Sequence, residues 1–226
     1  MTLHVPGTDT MGRDIMEGTN GSKSVLYMIT AAVLAAISGI LSAFLFLGYL
    51  SAGEMTGLVL ATISYLLLAA AAFRYRTNPL GIHGAILFMT IVRGIVFVIN
   101  VWNLVFYVNN VHSISGSLAK RDFIEPVGNF LIFAAFLLFA MITSGKIRTK
   151  VPGALLLGGV FLFETARLIF VYRTWDFNAN QLSLGNFWKE VCFYHFPILL
   201  ITASAAFLLT AIPIIKKARK TRSKLS

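Results

Sequence analysis

The sequence predicts an all-α fold, a polytopic bundle of transmembrane helices with six spans and both termini in the cytoplasm. Three observations lead there. First, the 226 residues are 57% hydrophobic and only 12% charged, whereas a soluble domain carries about 25% charge. A chain so poor in polar side chains cannot clothe a water-facing surface. Second, six apolar stretches lie near 25–50, 56–73, 84–108, 128–144, 153–172 and 196–215. Each approaches the roughly 20 residues that a helix needs to cross a hydrocarbon core about 30 Å thick. Third, the basic residues gather at alternate ends of these stretches. No recurring alternation of about ten residues suggests a β-barrel. Cytosolic enzymes and secreted disulfide scaffolds are excluded, the latter because Cys192 is the single cysteine.

Residues 1–23 are polar and rich in Gly and Thr, and are expected to form a disordered cytoplasmic tail. The transmembrane helical domain follows over 24–215, and 216–226 form a polybasic cytoplasmic tail. The first span is long, lacks a small-residue cleavage site and is followed by further spans, so it reads as a retained anchor. Its Ala31, Ala35, Gly39 and Ala43 recur at every fourth position, a spacing that lets helices approach closely in lipid, here within one chain. The fourth span, almost purely Phe, Leu, Ile and Ala from Phe130 to Met141, is expected to face lipid. Pro152 and Pro197 stand near the starts of spans five and six, where a missing N–H is harmless.

Orientation follows from the loops. One side carries Arg13, Lys23, Arg74, Arg76, Lys146, Arg148, Lys150 and the tail residues Lys216, Lys217, Arg219, Lys220, Arg222 and Lys224. The other carries only Lys120, Arg121, Arg173 and Lys189, beside Glu54, Asp122, Glu125, Asp176 and Glu190. Basic loops stay cytoplasmic, so the net charge of +10 records topology rather than nucleic-acid binding. The C-terminal cluster is also suited to anionic lipid headgroups. The peroxisomal tripeptide Ser-Lys-Leu is followed by Ser226 and is unreadable. The sequon at Asn20 is expected to remain unused on the cytoplasmic side.

Three charges lie within spans: Arg93 in the third, Glu164 and Arg167 in the fifth. Each costs at least about 2.5–3.5 kcal/mol in hydrocarbon, so such residues face protein or water. Counting about 1.5 Å per residue from Gly84 and Gly153 places Arg93 and Glu164 at similar depth, and they are expected to pair. Arg167 shares a face with Glu164. With Thr90, Asn100 and Asn103 they outline a polar seam between spans three and five, running from the midplane outward. Arg93, Glu164, Arg167, Asn100 and Asn103 are thus the candidate ligand-binding residues, for an anionic headgroup, phosphate or carboxylate matched to the planar guanidinium fork. The alternative is a structural salt bridge.

His83, His112 and His195 sit at span borders and read as ordinary interfacial residues, so neither a metal nor another cofactor is expected. No phosphate-cradling glycine loop, nucleophile elbow or paired carboxylates occur in a span, and the chain does not read as an enzyme. The runs beginning at Arg93 and Arg167, followed by Trp102 and Trp175, hint at an internal repeat.

From Arg167 to Pro197 the chain reads Arg167, then Arg173-Thr-Trp-Asp176, Gly185, Glu190 and Tyr194-His195-Phe196-Pro197. This resembles the last two spans of the fungal RTA-like family, membrane proteins described as lipid-translocating exporters. Arg173/Asp176 and Glu190/Tyr194 match that pattern in spacing. The family places an acid shortly after the Tyr, where His195, Phe196 and Pro197 stand here, and it has seven spans with an outside N-terminus. The resemblance implies a transporter or exporter of a lipid-like anionic or amphipathic molecule, with membrane lipids as partners. The other reading is a receptor-like or scaffold membrane protein whose intramembrane charges are structural. The oligomeric state stays open.

Overall fold

The computed structural model describes residues 8–44, 52–75, 80–110, 116–147, 149–174 and 190–222, and among these it is all-helical. The helices are α1 (Thr8–Phe44), α2 (Ala52–Phe73), α3 (Leu80–Asn110), α4 (Gly116–Thr143), α5 (Val151–Thr174) and α6 (Phe196–Arg222). A π-helical turn, Glu190–His195, leads directly into α6. Five helices contain segments long and apolar enough to cross a membrane: Ser22–Phe44, Gly81–Trp102, Pro126–Thr143, Val151–Phe170 and Phe196–Ile215. The expected second span corresponds to α2. Its apolar stretch is described over Leu58–Phe73.

At both ends the helices run on past the expected spans. α1 begins at Thr8, so most of the segment expected to be disordered is helical. Once the apolar span has nucleated a helix, each further residue adds one hydrogen bond. At the other end α6 runs through the basic cluster to Arg222.

Neighbours in sequence are neighbours in space, and α1 closes the circle by packing along α6, with α4 reaching α6 across it. The closure is an antiparallel seam of small residues. Ser38 Oγ donates to the Pro197 carbonyl at 2.5 Å, and seven residues away on each helix Ser204 Oγ donates to the Ala31 carbonyl at 2.7 Å. Ser24, Met28, Ala31, Ala35, Ser38 and Ser42 are all buried, a strict alternation of four and three residues. That is the heptad spacing, which keeps one stripe facing a supercoiled partner. Ile201, Ser204, Leu208 and Ala211 answer it from α6. Gly39 turns instead toward α2, where an added Cβ would fall 2.7 Å from Leu66 Cδ2. The small-residue stripe therefore serves packing within the chain. On the opposite side of α1, Ile29, Val33, Ile37, Ile40 and Phe44 are exposed, as a lipid-facing stripe should be.

The fourth helix faces outward, as its composition suggests, on one side only. Ile132, Ala135, Phe136, Phe139 and Ala140 form a buried face, while Phe130 and Leu137 point outward. In hydrocarbon both faces of a helix are apolar, so composition does not separate them. Against α3, an added Cβ at Gly94 would meet Phe133 at 3.1 Å, and Phe97 stacks on Phe133 with ring centroids 6.4 Å apart.

The antiparallel pairing of α1 and α6 puts the N-terminal end of α1 beside the C-terminal end of α6. Trp102, 71% exposed, and Tyr172 mark the far interface, where aromatic side chains gather at headgroup level. With the basic excess at the termini, this side is expected to be cytoplasmic. Expressed with microsomes, the protein should show no glycan dependent on Asn20. His112→Thr, which completes an Asn110-Val111-Thr sequon between α3 and α4, should give a glycosidase-sensitive mass shift. The reverse pattern would invert the orientation.

Candidate functional site

The interior of the helical ring is divided by polarity. Toward the termini it is filled by Leu68, Ile86, Phe136, Phe139, Leu157 and Leu208. From the middle of the helices toward the far side, Ser38, Thr90, Arg93, Asn129, Glu164, Arg167, His195 and Thr202 are buried. Thr90 and Thr202 turn their hydroxyls back on their own helices, donating to the Ile86 and Ile198 carbonyls at 2.8 and 2.7 Å. The charged residues are held by side-chain contacts, one within α5 and the others between elements.

Glu164 is the centre of this region. It is 0% exposed, and each carboxylate oxygen has its own donor. Arg167 Nη1, one turn further along α5, donates to Oε1 at 3.0 Å. His195 Nδ1 lies 3.1 Å from Oε2. A carboxylate only accepts, so that imidazole nitrogen carries the hydrogen. His195 is itself 0% exposed, which corrects its reading as an ordinary interfacial histidine.

The backbone explains how it reaches Glu164. Pro197 has no N–H to return to the carbonyl of Phe193, and its ring crowds that carbonyl in a regular α-helix. The chain takes a π turn over Glu190–His195 instead. Such turns are rare and recur at functional sites. Pro197 thus acts through the turn before it.

α4 closes the site. A Cβ built on Gly128 would approach Phe163 Cε1 to 2.8 Å, Arg167 Nη1 to 3.3 Å and Glu164 Oε1 to 3.5 Å. Only glycine leaves room there for the ion pair. Asn129, the next residue, is buried beside it.

The sequence-derived seam is thereby redrawn. Among the described residues, α3 packs on α2 and α4, while α5 packs on α4, the π turn and α6. The expected pairing of Arg93 with Glu164 gives way to Arg167 and His195, because α4 lies between α3 and α5 and the π turn supplies the second donor. Arg93 is buried, with its guanidinium carbon 5.3 Å from the centroid of the buried Tyr65 ring, a cation–π contact that ties α3 to α2. Asn100 is half-buried two residues before the exposed Trp102. The Asn103 side chain lies outside the described residues, as do Trp175, Asp176 and Gly185 and the side chains of Glu190 and Tyr194. Arg173 is exposed in the last turn of α5.

Sequence reasoning missed His195, Gly128 and Tyr65. The signals available were slight: a histidine two residues before a proline, and a glycine two residues after Pro126 in an apolar helix.

Comparison with protein-family models, with curated proteins and with solved structures finds no match to this chain. The chemistry of the site therefore has to speak for itself. It offers a carboxylate with a donor on each oxygen, an imidazole beside it, and a guanidinium held by that carboxylate. Among the described residues no third His, Cys, Asp or Glu joins Glu164 and His195 to make a metal site.

Proposed function

We propose that this integral, multi-pass membrane protein is a carrier or exporter of a lipid-like anionic or amphipathic molecule, admitted from the far half of the helical ring. One observation carries the reading: Glu164, fully buried, is bonded at once by an arginine on its own helix and by a histidine on a π turn of the next element. A bundle of apolar helices can pack without such groups, and carboxylate–histidine chains in membranes mark proton and ion paths. An anionic substrate would compete with Glu164 for Arg167. Protonation of the Glu164–His195 pair would release the guanidinium to it. The π turn is the irregular element that can reset with that exchange. The resemblance of residues 167–197 to RTA-like exporters points the same way.

A second reading is favoured by the packed apolar half of the ring and by the complete engagement of the Glu164 oxygens. It is a receptor-like or scaffold protein in which the cluster only fixes the helices. Proteoliposomes containing NBD-labelled phosphatidylserine separate the two. A carrier should move the probe between leaflets faster than protein-free vesicles, as read by dithionite quenching, and His195→Leu should slow it toward the protein-free rate. Equal rates with and without protein would favour the scaffold.

A further inference from the structure

At the end of the ring nearest the termini, α2 and α3 part to leave a surface groove of about 400 Å³. Leu67 and Ala70 form one wall and Gly81, Gly84 and Phe88 the other, with Arg74 at the rim. Two features make it a receptacle. Gly84 presents open space, since an added Cβ would meet nothing within 4 Å. Arg74 is exposed immediately beyond Phe73, the last residue of the apolar stretch of α2. Its volume lies within the range of about 300–1,000 Å³ usual for ligand pockets.

The occupant follows from where the groove lies. Water gains nothing from walls with almost no polar atoms, so in a bilayer the groove is filled by something apolar. The positive charge stands at one end only, on Arg74, at headgroup depth. An apolar slot ending in a cation complements one molecule of the bilayer: a phospholipid with its acyl chain along Ala70 and Gly84 and its anionic headgroup on Arg74. We infer that the groove between α2 and α3 is a binding site for an anionic phospholipid of the leaflet on the side of the termini. It lies nearer the termini than Glu164, shares no residue with that site, and does not depend on the carrier reading.

Native mass spectrometry of the purified full chain, titrated with equal amounts of palmitoyl-oleoyl phosphatidylserine and phosphatidylcholine, tests this. The wild type should retain the serine lipid in preference. One arginine near an anionic headgroup is worth about a fivefold preference, which Arg74→Gln should abolish while leaving choline-lipid retention unchanged. Gly84→Phe, placed in open space, should expel both lipids. Ala70→Phe, on the exposed face of α2, should do the same from the other wall. Retention unchanged in both filled variants would overturn the site, as would a preference indifferent to Arg74. A lipid-free dimer that Gly84→Phe splits into monomers would assign the groove to a second copy of the chain instead.

Discussion

Replacing Glu164 by glutamine should cost about 3–5 kcal/mol of stability, the usual penalty for removing one partner of a buried ion pair. The loss arises because Arg167 stays buried while the carboxylate it bonds is gone, and His195 Nδ1 loses a carboxylate acceptor. The single variant should give little monodisperse protein on size-exclusion chromatography in mild detergent. Glu164→Gln with Arg167→Gln should recover most of it, since removing both charges of a buried pair is close to neutral. Glu164→Gln with Arg93→Gln should show no such recovery, because both Glu164 oxygens are taken by other groups and Arg93 is held against Tyr65. Recovery by the Arg93 combination instead would restore the pairing that depth alone suggests.

Ala31→Leu should be the most damaging single apolar substitution in α1. Ala31 is fully buried and its carbonyl receives the Ser204 hydroxyl at 2.7 Å, so the α1 and α6 backbones are close at this point. Three further carbons force the helices apart, and overpacking of this kind costs about 1–3 kcal/mol. The interhelical bond would be lost with it. A fall in thermal unfolding midpoint in detergent is expected, whereas Val33→Leu on the exposed stripe should leave the midpoint unchanged. Equal effects at the two positions would mean that α1 does not seat on α6 through this stripe.

The helical character of the fold and the positions of the spans were legible in the sequence, because length and hydropathy are additive along a chain and the bilayer sets the length required. The alternation of basic loops was legible for the same reason, and it agrees with termini that lie at one end of the ring. The burial of Arg93, Glu164 and Arg167 followed from the cost of charge in hydrocarbon, which holds whatever the neighbours are. Even the four-residue stripe of Ala31, Ala35 and Gly39 pointed to close packing, although it hid the heptad of Ser24, Ala31 and Ser38 that meets α6.

Which groups meet was decided only by the tertiary structure. Depth counted along a helix is one coordinate, and it leaves open the rotation of each helix and the order of helices around the ring. Those two variables gave the Glu164 oxygens to Arg167 and His195, laid Arg93 over Tyr65 and turned one face of α4 inward. No count along the sequence places a histidine at a span border 3.1 Å from a carboxylate in mid-span. That contact depends on a π turn before Pro197 and on a glycine at position 128, and both act through space on residues that their own sequence neighbourhoods do not name.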